Sequence, residues 1–442
     1  MAISRRDILK LSGVTVAATT VNGYASTKTK SVKFDKAPIP DTKNQRVIVV
    51  GGGWSGLSVA KYTKIFAPNC DVVLVEQRDH FVSCPVSNLW VVDEVDLEFL
   101  THDYLQAARE NDYLFFNAAA TGLDKKNKVL HTSNGDIAYD FIVFAPGIDY
   151  DYSAWTSDIA LETRLRQEYP AGFKPGSEHM TLRNKVLNFK GGNFILTVPK
   201  GNYRCLPAPY ERACLIADYF KMKKLKAKVI LLDENNAITI KKKGFQSAFD
   251  KLYKGYLEYH PNAKIENIDL DNKVVETEMD EYKFEDASFY PHVRGAKILE
   301  TVGIAKDTQH NKLEGNIDFK TYEAIGEKDI FISGDARPMG FSKSGNTSYS
   351  EGQFVAKLVA SKVNKTPAPK WESPTTTCFS AVSIKPYRAI YIYSQYAYVE
   401  KSGRFRFDNT LSSENWQGKS GLTDAQSIKS WATAVYLDMF SK

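Results

Sequence analysis

Sulfur supplies the most reactive side chains of this sequence. There are five cysteines, Cys70, Cys84, Cys205, Cys214 and Cys378. No two stand as C-x-x-C, so neither a local zinc knuckle nor a thioredoxin-type dithiol is supported. Without C-x-x-C-H there is no attachment site for a c-type haem on this chain. The seven His show no H-x-x-x-H spacing, and no metal is expected. Spacing alone leaves open which cysteines pair.

A glycine turn is the second pattern with chemical meaning. Arg46-Val-Ile-Val-Val50 is a continuous apolar, β-branched run, the signature of a buried parallel strand. Gly51-Gly52-Gly53-Trp54-Ser55-Gly56 follows at once, and residues 57–66 read as a helix. Gly51, Gly53 and Gly56 fit G-x-G-x-x-G: a tight turn, close approach to a pyrophosphate, and close helix–strand packing. The helix start then faces phosphate with its partial positive charge. A second strand, Asp71-Val-Val-Leu-Val75, ends in Glu76, about where an acid meets a ribose hydroxyl.

Two later segments select the dinucleotide. Tyr139-Asp-Phe-Ile-Val-Phe-Ala-Pro-Gly147 is a strand ending in Ala-Pro-Gly, similar to the chain crossing of two-dinucleotide flavoproteins. Asp329-Ile-Phe-Ile-Ser-Gly334-Asp335-Ala336 resembles the motif in which an Asp carboxylate accepts hydrogen bonds from the flavin ribityl chain. The three pieces in this order imply FAD and a fold like that of glutathione-reductase-like flavoproteins. The expected class is α/β. Two Rossmann-like dinucleotide-type domains, the FAD domain split by the inserted second one, are followed by a C-terminal α+β interface domain. The inserted domain usually repeats the glycine fingerprint for NAD(P)H. Here Asn193-Phe-Ile-Leu-Thr-Val198 runs on as Pro199-Lys-Gly-Asn-Tyr-Arg-Cys205, and Lys228-Val-Ile-Leu-Leu232 ends in Asp233. The half-Rossmann scaffold persists without its ligand loop, so electrons are not expected from NAD(P)H.

Four further segments sharpen the resemblance: Phe81-Val-Ser-Cys84-Pro-Val-Ser-Asn88, Tyr203-Arg-Cys205-Leu-Pro-Ala-Pro-Tyr210-Glu211-Arg212-Ala213, Lys343-Ser-Gly345 and Thr377-Cys378. From about residue 44 to the C-terminus the chain resembles the flavoprotein subunit of flavocytochrome c sulfide dehydrogenase, with sulfide:quinone reductases more distantly related. The resemblance implies that Cys84 is bonded through sulfur to the FAD 8α-methyl; the alternative is a small packed residue under a noncovalent FAD. It implies that Cys205 and Cys378 form a redox-active disulfide beside the isoalloxazine; the alternative is an inert structural disulfide. Cys70 and Cys214 match nothing in the family and read as packing residues or free thiols. Hydrosulfide would open the disulfide, leaving a persulfide on one cysteine and a thiolate, assigned to Cys378, on the other. Glu211 is either a proton acceptor for this step or a carboxylate paired with Arg212 or placed at a helix start. Lys343 either sets positive charge near the flavin pyrimidine ring or is a solvated lysine. The implied substrate is sulfide or a related sulfur compound, and the implied partner is a c-type cytochrome subunit. A sulfide:quinone oxidoreductase, and a FAD-binding redox sensor or assembly protein without turnover, are the competing functions.

These residues must be positioned by a chain of 442 residues, long enough for about three folding units. With 43% hydrophobic and 25% charged residues it is ordinary for a globular protein. Its net charge of +6 is not gathered into aromatic-interleaved basic clusters, which argues against nucleic acid. No apolar run approaches a bilayer span. Ser4-Arg5-Arg6-Asp7-Ile8-Leu9-Lys10, a mildly apolar stretch and Gly23-Tyr24-Ala25 read as a twin-arginine-type export signal over 1–25, cleaved near Ala25. That address implies a periplasmic protein. Residues 26–43 read as a mobile lead-in. The expected layout is 44–152 and 295–364 for the two FAD-binding parts, 153–294 for the insertion and 365–442 for the C-terminal domain. In the last of these, Arg388-Ala-Ile-Tyr-Ile-Tyr393 and Tyr396-Ala-Tyr-Val399 read as two strands joined by a turn. Thr423 and Gln426 suggest a capping box for a helix whose stripe of Ile428, Trp431, Val435 and Met439 is core.

Overall fold

The computed structural model describes residues 35–309 and 311–442; the export signal lies outside the described residues. Along the chain run β1 (Arg46–Val50), α1 (Trp54–Phe66), β2 (Asp71–Glu76), β3 (Leu114–Asn117) and β4 (Phe141–Phe144). There follow β5 (Gly192–Val198), α2 (Ala208–Met222), β6 (Ala227–Asp233), β7 (Leu257–Pro261), β8 (Asp286–Ser288) and β9 (Ile330–Ile332). The chain ends with α3 (Gly345–Val363), β10 (Thr376–Ser383), β11 (Arg388–Val399), β12 (Arg404–Ser413) and α4 (Lys419–Phe440).

Two parallel sheets make this a mixed α/β structure. The first has the order β9-β4-β1-β2-β3 with every neighbour parallel. Every residue of β1 is buried, as a strand covered on both faces requires. Its last strand, β9, arrives from far along the chain and pairs with β4 through Ile330 and Ile142. That pairing brings the Gly334-Asp335 segment beside the Ala-Pro-Gly147 crossing and the glycine turn after β1. The second sheet, β7-β6-β5-β8, is also parallel. Its β5-α2-β6 unit buries Phe194, Leu196, Leu215, Ile216 and Phe220 in one core.

The third sheet is antiparallel, in the order β10-β11-β12, with α4 packed on it. Here the structure departs from expectation. The two strands expected around Ser394 and Gln395 are one continuous strand, β11, placed centrally. Ser394 is fully buried and its hydroxyl bonds that of Thr410, so a polar pair that reads as a turn is absorbed at a register shift instead. Helix α4 starts at Lys419 with Gly418 as its cap, ahead of the expected capping box; Thr423 bonds back to Lys419 O inside the helix. The stripe itself is core: Ile428, Val435 and Met439 are buried, and Trp431 stacks on Trp54 with centroids 5.9 Å apart. The lead-in is pinned earlier than expected, because Ala37 is buried and its N–H donates to Asp136 O at 3.0 Å. Among the described residues no helix is long and apolar enough to cross a membrane.

Candidate active site

A cleft of about 390 Å³ opens beyond the carboxyl ends of β1, β2, β4 and β9, where open parallel sheets bind their ligands. The three glycines of the fingerprint do different work there. Gly51 has φ +103, and a Cβ on it would stand 2.5 Å from Ala145 O. Gly53 faces open space within the lining, with nothing within 4 Å of a Cβ. Gly56 does not line the cleft; a Cβ on it would stand 1.8 Å from Gly51 O, and its absence lets α1 lie on the turn. Helix α1 has no side-chain cap, which leaves its first amides for an anionic ligand.

Two carboxylates flank that turn. Glu76 accepts from Gly52 N at 2.7 Å and from Arg78 N at 2.9 Å and Nε at 3.0 Å. Burial pushes its carboxyl up, but the Arg78 guanidinium and these amides outweigh burial and hold it below the usual range. Asp335 accepts from Ser348 Oγ at 2.9 Å, and its other oxygen faces Arg204 Nε at 2.9 Å. Gly147 and Gly334 complete the lining named from sequence. An open glycine turn, an uncapped helix start, an acid at the end of β2 and another after β9 fit a dinucleotide, and the residues expected for FAD line the cleft except Gly56, which packs α1 on the turn, and Lys343.

Lys343 lines neither this cleft nor its neighbour. Its ammonium is 1% exposed, pairs with Glu314 Oε1 at 2.7 Å and donates to Asp335 O and Arg337 O at 2.6 and 3.0 Å. It is therefore not a solvated lysine, and a buried carboxylate claims its charge. Its backbone does reach the site: Lys343 O accepts from Cys205 N at 2.6 Å.

Next to the cleft lies a cavity of about 70 Å³ lined by Cys84, Cys205, Cys378, Glu211 and Trp431 among others. Cys84 and Arg204 line both spaces. Cys205 sits in the turn between β5 and α2 with φ +59, a conformation rare outside glycine, held by the bond to Lys343 O and by Ala208 N donating to its own carbonyl at 2.9 Å. Cys378 comes from β10, opposite Ile392. All five cysteines are free thiols in the structure; those at 205 and 378 line the same cavity, and each is the largest influence on the ionisation of the other. Cys70 and Cys214 are buried elsewhere in the cores, as expected of packing residues.

The two facing sulfurs are electrostatically unequal. Cys205, and then the Lys241 ammonium and the Ser380 hydroxyl, overcome burial and bring the Cys378 thiol down to about 6. Cys378, with burial, pushes the Cys205 thiol well up. Burial raises the Cys84 thiol, whose sulfur stands 3.7 Å from Phe173 O. Glu211, in the first turn of α2, accepts from Asn88 Nδ2 at 2.9 Å and Ala381 N at 2.7 Å, and burial pushes its carboxyl up to about 7. Arg212 does not pair with it: that guanidinium goes to Asn88 Oδ1, Ala171 O and Gly172 O.

Two residues of the site were not singled out from sequence. Arg204 had a signal, a cation adjacent to a candidate reactive cysteine. Lys241 had none, since Lys241-Lys242-Lys243 reads as a solvated run; yet Lys241 is buried against Cys378.

The chain is similar to known proteins in sequence and in fold. The family described as sulfide dehydrogenase (flavocytochrome c) flavoprotein chain, central, matches residues 180–289. A sulfide dehydrogenase (flavocytochrome c) flavoprotein chain from Chlorobaculum thiosulfatiphilum is 52% identical over 44 residues, which are 10% of this chain and 92% of that sequence. Among solved structures, the sulfide:quinone oxidoreductase of Aquifex aeolicus superposes with a TM-score of 0.68 at 14% identity, over 88% of this chain and 90% of that one. NDH2 from Plasmodium falciparum gives 0.67 at 11% identity, over 90% and 95%. At these identities the two structures speak for the fold alone.

Proposed function

Because the chain belongs to the family of flavocytochrome c sulfide dehydrogenase flavoprotein chains, which are FAD-dependent oxidoreductases, we propose that it oxidises sulfide at a Cys205–Cys378 disulfide and hands the electrons to a c-type cytochrome partner. The observation that carries this is the meeting of Cys205 and Cys378 in a cavity that shares Cys84 and Arg204 with the nucleotide cleft.

Hydrosulfide enters the small cavity and attacks one sulfur of the disulfide. A new S–S bond forms, the Cys205–Cys378 bond breaks, and its electron pair goes to the departing sulfur. Glu211, balanced near neutrality, takes the proton of the resulting persulfide. FAD bound in the cleft would supply two-electron acceptance and the one-electron donation that a haem partner requires. Gly51, Gly53 and the start of α1 would hold its pyrophosphate, Glu76 its ribose, and Asp335 its ribityl chain. Cys84, on the border of both spaces, is the residue for a thioether tether, tested by acid precipitation: a tethered flavin stays yellow in the pellet, a dissociable one in the supernatant. The loop after β5 offers no glycine cradle, and the reaction runs without NAD(P)H. The reading of residues 1–25 as a twin-arginine-type export signal supports a periplasmic location for this reaction.

Anaerobic mixing of FAD-loaded protein with sulfide, followed by cytochrome c or a soluble quinone, tests the reaction. Sulfide bleaches the flavin of the wild type and cytochrome c recovers the electrons, while Cys205→Ser is inert. Bleaching of Cys205→Ser at the wild-type rate removes the disulfide step. Electron delivery to quinone but not to cytochrome c makes the protein a sulfide:quinone oxidoreductase. Slow bleaching of the wild type, without turnover, makes it a sensor or assembly protein.

A further inference from the structure

Lys241 caps the start of the helix Lys242–Leu252 from a left-handed backbone, φ 52, and is 4% exposed. Its ammonium donates to Ser380 Oγ at 2.7 Å and Cys378 O at 3.2 Å, and stands 3.8 Å from Cys378 Sγ. No carboxylate among the described residues forms an ion pair with it; Glu211 and Asp424 act on it only from farther off. A buried ammonium without a counter-charge is costly. The atom in reach that can carry that counter-charge is the sulfur of Cys378.

Cys205 has different surroundings. Negative charge on Cys84 or Glu211 opposes its ionisation; Glu211 opposes that of Cys378 as well, so the ammonium of Lys241 against Cys378 is what sets the two sulfurs apart. The other cations of the cavity are hydrogen-bonded elsewhere, Arg204 with Asp335 and Arg212 with Asn88 and two carbonyls; Arg212 acts on Cys205 without a hydrogen bond to it. Lys241 comes from the loop after β6, Cys378 from β10 and Cys205 from the loop after β5, so the asymmetry belongs to the tertiary fold.

We propose that Lys241 is the positioning cation that makes Cys378, and not Cys205, the leaving sulfur when a nucleophile opens the bond between them. The proposal rests on the disulfide chemistry assigned above and specifies its direction. Hydrosulfide bonds to Sγ of Cys205 and the Cys205–Cys378 bond breaks. The electron pair settles on Sγ of Cys378 opposite the ammonium; the incoming sulfur is oxidised to the persulfide level and the cysteine pair is reduced.

The test is alkylation of the chemically reduced, FAD-loaded protein by iodoacetamide as a function of pH, with the modified cysteine located by peptide mass. In the wild type Cys378 is modified with a midpoint near pH 6 and Cys205 lags. In Lys241→Met, or in Lys241→Gln should the former not accumulate, the rate at Cys378 near pH 6.5 falls about tenfold or more, while Lys241→Arg keeps most of it. After one equivalent of sulfide on the oxidised protein, the added sulfur maps to Cys205 in the wild type and to both cysteines in the neutral variants. A wild-type midpoint at the ordinary thiol value, or an unchanged midpoint in a neutral variant whose circular dichroism and flavin spectrum are native, overturns the role of Lys241. A low, Lys241-dependent midpoint in a protein whose flavin sulfide does not reduce leaves that role standing and removes sulfide oxidation alone.

Discussion

Replacing Glu211 by Gln separates proton transfer from packing. The carboxylate accepts two hydrogen bonds, from Asn88 Nδ2 and Ala381 N, has no ion-pair partner, and is carried by burial from an ordinary 4.5 to about 7. That displacement disfavours ionisation in the fold by roughly 3 kcal/mol. The sign follows from linkage. Below pH 4.5 the group is protonated in folded and unfolded chains alike. Between 4.5 and about 7 it ionises only in the unfolded chain, so stability falls with rising pH through that window and is level above it. In Glu211→Gln this fall disappears: the difference in unfolding free energy between variant and wild type shifts by roughly 3 kcal/mol in the variant's favour from pH 4.5 to 8. That shift adds to a constant cost from the Gln amide, which meets the Asn88 amide donor to donor.

The same change acts on rate. A positioned base near its operating pH contributes about 10² or more, so flavin bleaching by sulfide in stopped flow slows about a hundredfold at pH 7.5. The ratio of wild-type to variant rates cancels the ionisation of sulfide itself, and it rises through pH 7 as Glu211 becomes the free base. A ratio within twofold across pH 5–9, or a stability difference that does not move with pH, refutes the assignment of Glu211 as proton acceptor.

Three other changes probe the frame. Gly51→Ala puts a Cβ 2.5 Å from Ala145 O at φ +103, so it costs about 1–3 kcal/mol and the purified protein carries less flavin; full flavin content with an unaltered melting temperature would contradict the turn geometry. Lys343→Met strands the Glu314 carboxylate in the interior and costs about 3–5 kcal/mol, whereas Lys343→Met with Glu314→Leu recovers most of it. Because neither group lines the cleft, the double variant keeps the wild-type flavin spectrum, and a spectral shift would return Lys343 to the flavin. Arg204→Met leaves Asp335 unpaired beside the cleft, lowering apparent stability by about 3 kcal/mol in denaturant titration; an unchanged midpoint would mean that this ion pair holds nothing together.

What was legible in the sequence is what neighbours in sequence do together. The unit from β1 through the glycine turn and α1 to Glu76 was readable because strand periodicity, turn chemistry and helix start follow one another within about thirty residues. The strands β5 and β6 were readable for the same reason. Charge pairing was not. Glu314 lies in Asn311-Lys312-Leu313-Glu314, a stretch with no period, and nothing there announces that it neutralises Lys343. Lys241 hides in a lysine run, and only the packing of β10 against the loop after β6 turns one of those three inward. The encounter of Cys205 with Cys378 likewise depends on tertiary structure; a family resemblance anticipated it, and spacing alone left every pairing open.

The unit β5-α2-β6 carries a cysteine where a nucleotide-binding scaffold carries a glycine loop. In such a unit the loop after the first strand approaches a phosphate through glycines, and the following helix points its N-terminus at the charge. Here that loop ends in Arg204 and Cys205, and α2 begins at Ala208 with Glu211 in its first turn. By the helix-dipole rule the cysteine nearest that N-terminus should be the acidic one. It is not: Cys205 is pushed up and Cys378 is brought down. A helix dipole is worth about 0.3–1 kcal/mol, less than the combined opposition of the Cys378 sulfur and burial, to which Cys84 and Glu211 add, in a cavity of about 70 Å³. Helix α2 therefore contributes a carboxylate base and a neutral thiol, and the thiolate has to come from another element with its own cation. A strand crossing from the third sheet, with Lys241 behind it, meets that requirement, which is why neither parallel sheet alone completes the site.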